Sequence, residues 1–252
     1  MTTSNQIIAV GQAFVDGLKE ILGEKLHGVY IFGAAAFPGT YPLGDIDFHV
    51  ILRSDLTQDE RSRLERLHKY LDENFPPPGE TFDGYYILLE DARKKSYPQS
   101  RIWENAVDDS WALHRAHILA GRQITLYGPD PQQIYPPATR PEIESALYGE
   151  LDYVEKHLED YPANCVLNLC RLIYSFETGD VVISKEQASE WALKNLRGWE
   201  KYIELAEKAY TRRATPEDKR SLSAEIRNFL EYAKGRIKQA SGKDGGDRFR
   251  ES

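Results

Sequence analysis

The stretch that most constrains the fold is HGVYIFGAAAFPGTYPLGDIDFHVILR, residues 27–53. Two short apolar runs, VYIF and FHVIL, flank a loop of Gly, Ala and Pro. Both runs are too short for a helix and rich in β-branched and aromatic residues, so each predicts a strand. The second strand, residues 45–53, carries Asp45 and Asp47 two positions apart. Strand alternation puts both side chains on one face. Charge on a buried strand is costly unless something binds it, and adjacent carboxylates repel unless a cation lies between them. Hard carboxylate oxygens suit Mg²⁺, which takes one or two carboxylates together with substrate phosphates. Asp83 in TFDGYYILLE is the candidate third carboxylate, with Glu90 at the far end of that run as the alternative. The same alternation places His49 on the aspartates' face. Gly33, directly after the first strand, is the kind of turn residue at which phosphates bind.

The rest of the chain sorts into two halves. Apolar residues Ile7, Phe14, Leu18, Ile21 and Leu22 recur at helical spacing near the N-terminus, with Ser4 or Asn5 as the candidate cap. Thr57 and Glu60 form a capping-box pattern ahead of a helix whose buried stripe is Leu64, Leu67 and Leu71. FPPPGE ends that helix, TFDGYYILLE predicts a third strand, DDSWALHRAHILAG a helix and QITLYG a last short strand. From Pro141 onward nearly every segment has helical periodicity, including NCVLNLCRLIYSFETG, which stops at Gly179. The prediction is an α+β chain: residues 1–137 with a mixed sheet and flanking helices, residues 138–240 an all-helical bundle, and a polar, Gly-rich tail over 241–252 expected to be disordered.

Composition narrows the function. The 252 residues are 41% hydrophobic and 29% charged, an ordinary globular balance. A formal net charge of −8 argues against a nucleic-acid partner and suits a cationic small molecule. No apolar run is long enough to span a bilayer, and MTTSNQIIAV lacks the basic start of a signal peptide. Cys165 and Cys170 read as small core residues of a reducing, cytoplasmic protein rather than a disulfide. His114 and His117, three apart on a helix without ligands at metal spacing, read as ordinary helix residues. A monomer or weak dimer is expected.

The order strand, glycine turn, D-x-D strand and later acidic strand is similar to the nucleotidyltransferase pattern of the DNA polymerase beta superfamily. More closely, the chain resembles the aminoglycoside adenylyltransferases that modify streptomycin and spectinomycin. HGVYIFGAAAFPGTYPLGDIDFHVIL resembles their nucleotide-binding motif, NCVLNLCRLIYSFETGDVVISKEQASEWALKNL their C-terminal helical motif, and FLEYAKGRIKQASGK their final helix. The resemblance covers nearly the whole chain. It implies a nucleotidyltransferase domain and a helical bundle with the active site in the cleft between them. It further implies Mg²⁺-dependent transfer of AMP from ATP to a hydroxyl of a small acceptor, and a role in antibiotic resistance. Asp45 and Asp47 would hold the metal. Asp83, where the family has a glutamate, would join them and take the acceptor's proton. Gly33, Ala34, Gly44, Lys194, Arg197, Lys208 and Tyr232 fall at or beside the family's nucleotide contacts, with Asn195 and Glu207 between the basic residues. Glu177, Asp180 and Glu186 fall where acidic residues face the cationic acceptor. Trp103 and Trp111 are aromatics that can stack on a sugar or base.

Two hydroxyls of the family pattern are missing. The motif's Gly-Ser is Gly33-Ala34 here, and the serine before the first aspartate is Gly44. Hydrogen bonds to charged groups contribute roughly 1.5–3 kcal/mol each, so ATP binding must rely on backbone N–H groups such as those of Ala34 and Ala35. This departure motivates an alternative: a degenerate nucleotidyltransferase fold that binds a ligand or partner without catalysis.

Overall fold

The computed structural model describes residues 3–37, 39, 45–75, 82–102 and 110–242. The polypeptide divides into two compact units, one formed by residues 1–38 and 43–139, the other by residues 39–42 and 140–252. The first is a four-stranded sheet of order β3-β2-β1-β4, comprising β1 (Leu26–Phe32), β2 (Ile46–Leu52), β3 (Phe82–Leu88) and β4 (Ile124–Tyr127). β1 runs antiparallel to both β2 and β4, whereas β2 and β3 are parallel. Parallel neighbours need a crossover, and α2 (Gln58–Asn74) supplies it. The sheet is therefore mixed, and the fold is α+β as the sequence predicted.

Alternation along the strands gives the sheet two different faces. Val29 and Ile31 of β1, Ile46, Phe48, Val50 and Leu52 of β2, and Tyr86 and Leu88 of β3 form one core with two helices. α1 (Thr3–Leu22) contributes Ile7, Val10, Phe14, Leu18 and Leu22, and α2 contributes Leu64, Leu67 and Leu71. α1 starts at Thr3, so Ser4 and Asn5, expected as caps, lie inside its first turn; helix ends shift by a residue or two with little free-energy cost. α2 keeps its predicted cap: the Thr57 hydroxyl accepts from Glu60 N–H, and the Glu60 carboxylate accepts from Thr57 N–H at 2.7 Å. The other face packs Tyr30, Phe32, Ile51 and Ile87 against Trp111 and Ile118 of α4 (Trp111–Leu119), and against Ile134 and Tyr135 of the following turn. Between these elements, α3 (Leu89–Ala92) continues directly from β3.

The second unit is helical. α6 (Pro162–Thr178) is buried from Cys165 to Cys170 without interruption and packs against α5 (Arg140–Lys156), α7 (Lys185–Asn195), α8 (Glu200–Tyr210) and α9 (Pro216–Gly242). This explains its broad apolar face: a helix touched on all sides has no polar stripe to keep. Gly179 ends it in the left-handed conformation at φ 79°, the C-terminal arrangement glycine favours. Both cysteines are buried and free. α9 extends through Ser241 and Gly242, into the stretch expected to be disordered; the remainder of that stretch lies outside the described residues, as do the FPPPGE residues after Phe75.

Within the first core, His68 of α2 lies between Phe14 and Phe48, its Nε2 2.9 Å from the Tyr86 hydroxyl. Burial lowers its pKa to about 4. The unfolded chain therefore takes up a proton near pH 6.5 that the folded chain refuses until about pH 4, so stability falls as pH drops through that window. Denaturant titrations at pH 7 and pH 5 should show this loss, and His68→Phe should reduce it.

Candidate active site

The site begins where β1 ends. Asp47 of β2 is paired with Phe32 of β1 on one side and with Asp83 of β3 on the other. In-register residues on adjacent strands present side chains to the same face about 4.8 Å apart, so the fold brings together two of the three carboxylates that the sequence singled out. Asp47 is half-buried and Asp83 exposed. Asp45 is exposed and stands one residue before β2, whose hydrogen bonding starts at Ile46 rather than at residue 45. Glu90 lies in α3, beyond β3.

Gly33 holds a second requirement. Its φ is +64°, and a Cβ placed on it would fall 1.7 Å from Asp47 Oδ2. The Asp47 carboxylate thus rests directly against the glycine backbone. Residues Gly33–Ala36 turn in a short 3₁₀ helix, with Phe37 N–H donating to Ala34 O. Ala35 packs partly against the first core. Ala34 is in the same turn and offers only backbone polarity. Gly44 lies outside the described residues.

Behind the carboxylates on this face lies an aromatic layer. His49, next along β2 on the aspartate's side, is paired with Tyr85 and fully buried. Its Nδ1 is 3.1 Å from the Tyr135 hydroxyl, and its ring is 4.5 Å from Phe32, 5.4 Å from Trp111 and 5.4 Å from His114. Burial first, and the neighbouring His114 second, hold its pKa well below the usual imidazole value. His49 is thus a neutral core group. Trp111, read from the sequence as a stacking candidate, is 1% exposed and spends its indole N–H on Lys94 O; it too is core. His117 is buried, with its ring 5.5 Å from Phe37. Trp103 lies outside the described residues.

The helical unit carries the remaining candidates. Glu177, in the last turn of α6, accepts from Arg236 Nε at 2.8 Å, and Arg236 Nη1 donates to the Tyr232 hydroxyl at 2.8 Å. Tyr232 also packs 5.5 Å from Trp199. Asp180 accepts from the Tyr174 hydroxyl and from Val182 N–H, both at 2.8 Å. The charged acceptor at 2.8 Å raises the Tyr174 pKa, after burial as the larger cause. Glu186 occupies the first turn of α7, where a carboxylate complements the helix dipole, and a Cβ on Gly39 would lie 2.3 Å from its Oε2. Among the expected cations, Lys208 Nζ is 2.5 Å from Asp218 Oδ2, and this pairing pulls the Asp218 pKa down to about 2. Lys194 and Arg197 are exposed at the C-terminal end of α7. Asn195 donates to Trp191 O, and Glu207 accepts from the Ser189 hydroxyl. Sequence reasoning passed over Arg236, Tyr174 and Tyr135. Arg236 stands four residues after Tyr232 on one helix face, but its ion-pair partner is 59 residues away.

Among the described residues, no group of three or more His, Cys, Asp and Glu side chains is arranged to hold a metal ion by itself. Asp47 and Asp83 still form a hard-oxygen pair, the donor chemistry Mg²⁺ takes when substrate phosphates complete its shell.

Residues 133–236 match the family described as aminoglycoside adenylyltransferase, C-terminal domain. Spectinomycin 9-adenylyltransferase of Staphylococcus aureus is 25% identical over 246 residues, spanning 87% of this chain and 91% of that protein. The enzyme of the same name from Campylobacter jejuni is 22% identical over 259 residues, spanning 93% and 94%. Together these matches support the chain as an aminoglycoside adenylyltransferase family member. Its fold matches that of a spectinomycin adenyltransferase from Enterococcus faecialis, solved with ATP and spectinomycin, at a TM-score of 0.72 and 19% identity, covering 94% of this chain and all of that one.

Gly33 has a specific steric task beside Asp47. Gly33→Ala should cost about 1–2 kcal/mol for a β-carbon in the left-handed region, and should turn the Asp47 carboxylate away from Asp83. Denaturant unfolding and a crystal structure of the variant check both.

Proposed function

We propose that the chain is an Mg²⁺-dependent adenylyltransferase that moves AMP from ATP to a hydroxyl of a small, cationic acceptor of the aminoglycoside class. The observation that carries this reading is the in-register pair Asp47 and Asp83, seated beside Gly33, in a chain of this family. The names of its relatives make spectinomycin the first acceptor to test.

The acceptor oxygen attacks the α-phosphorus in line. A new oxygen–phosphorus bond forms, the bond to the bridging oxygen breaks, and pyrophosphate leaves with that electron pair. Asp83 receives the hydroxyl proton; its exposure leaves room for an acceptor hydroxyl within hydrogen-bonding reach. Asp45, Asp47 and Asp83 are the groups that would hold Mg²⁺, which supplies charge neutralisation at the phosphates. The Ala34 and Ala35 N–H groups serve the phosphates where this family offers a hydroxyl. Lys194 and Arg197 add cationic charge for the triphosphate and Tyr232 an aromatic surface for the base. Lys208 joins them only by leaving Asp218. Asp180, Glu186 and Glu177 are the acidic groups that meet the cationic acceptor.

The binding-only alternative draws on two observations: the methyl of Ala34 in place of a hydroxyl, and the lack of a ready-made three-ligand metal group among the described residues. Pyrophosphate release with Mg²⁺-ATP and an aminoglycoside panel separates the readings. No release with any acceptor leaves only the alternative.

Asp47→Asn and Asp83→Asn should each lower the release rate on the order of 10²–10⁴-fold, with unchanged unfolding curves excluding loss of fold. Ala34→Ser should restore a phosphate hydrogen bond and lower the KM for ATP by roughly tenfold. Steady-state kinetics at fixed acceptor reads that shift, and an unchanged KM would mean that the backbone already satisfies the phosphate.

A further inference from the structure

The three carboxylates assigned to the acceptor are not equally available. Asp180 has both oxygens engaged by donors of its own turn, the Tyr174 hydroxyl and Val182 N–H. Glu177 is held more firmly still. Arg236 Nε and Nη2 approach the same carboxylate oxygen at 2.8 and 2.7 Å, while Nη1 donates to the Tyr232 hydroxyl at 2.8 Å. All three guanidinium nitrogens therefore have partners. The Arg236 and Glu177 side chains are 27% and 23% exposed, so water screens the pair only in part. Charge-assisted hydrogen bonds in such a setting are the strong ones.

From this geometry we infer that Arg236 is a specificity-determining residue: it occupies the Glu177 carboxylate and so tunes the chain toward acceptors with few cationic groups and against polycations. The inference rests on the proposed function and narrows its substrate class. An incoming ammonium group would have to displace a guanidinium fixed at three points, and the displaced positive charge would remain beside it. Specificity can be built by unfavourable charge against the wrong partner as well as by contacts to the right one. The net charge of −8 draws any cation toward the chain, whatever its valence. Selectivity among cations needs a local device, and an arginine already paired with one of the carboxylates is such a device.

Calorimetric titration of the full chain tests this with two probes in the presence of Mg²⁺-ATP: spectinomycin, and neomycin, which bears more ammonium groups. Arg236→Gln removes the charge and frees Glu177. It should bind neomycin about tenfold tighter than the parent chain does, the change expected from one restored charge-assisted contact, with spectinomycin affinity moving much less. Arg236→Lys keeps the charge and should retain the parent ranking. Equal shifts for both probes, no shift for either, or Lys behaving as Gln would overturn the inference. Should Arg236→Gln unfold, as read by circular dichroism, Arg236→Met and the Lys variant carry the test: Met, which also removes the charge, should reproduce the tighter neomycin binding, and Lys should keep the parent ranking. Binding of neither probe by the parent or any variant overturns the proposed function and this inference together, whereas binding with an unchanged ranking overturns the inference alone.

Discussion

The parallel pairing of β2 with β3 is the constraint on which the first unit depends. It lines Asp47 up with Asp83, Phe48 with Gly84 and His49 with Tyr85 in a single register. A slip of one residue would turn every side chain of one strand to the opposite face, sending Asp47 into the Phe14 and Leu64 core and Phe48 toward the loop. Burial on both faces therefore fixes the register strongly, and the carboxylate pair inherits that precision. The glycine at position 84 belongs to the same constraint, because a Cβ there would lie 2.1 Å from Phe48 O. Two glycines thus let backbone come close at the carboxylate end of the strands, one on each side of β2.

Around this centre the molecule separates polar chemistry from structure. His49, Tyr135 and Trp111 look like site residues by type, yet they form a buried aromatic layer under the carboxylates. A neutral imidazole suits that position, since a charged one would face desolvation with little compensation. The layer makes the floor of the site aromatic and buried. In the helical unit the opposite holds. The acidic groups near the end of α6 are met by donors that the protein itself supplies: Arg236, Tyr174 and the Val182 amide.

Much of this organisation was legible in the sequence, for physical reasons that differ by element. The strands VYIF and FHVIL, the capping box at Thr57 and the α6 stop at Gly179 are local signals, set by side-chain period, hydrogen bonding to the nearest backbone and tolerance of positive φ. The pairing of Asp47 with Asp83 could be suspected from two acidic strands but not fixed, because register is a property of the sheet and not of either strand. The pairing of Lys208 with Asp218 was hidden by a separation of ten residues across the turn between α8 and α9, and that of Glu177 with Arg236 by the length of three helices.

The sequence by itself determined the α+β class, the strand that carries Asp47, the glycine that follows β1 and the loss of the loop hydroxyl at Ala34. These follow from period, residue chemistry and backbone freedom, which act over a few residues. Only the tertiary structure decided which carboxylates stand together and which are already occupied, that His49 and Trp111 are core, and that Gly33 must be glycine because Asp47 lies against it. Those outcomes depend on groups far apart in the chain meeting at van der Waals or hydrogen-bond distance, and such short-range forces act only once the chain has packed.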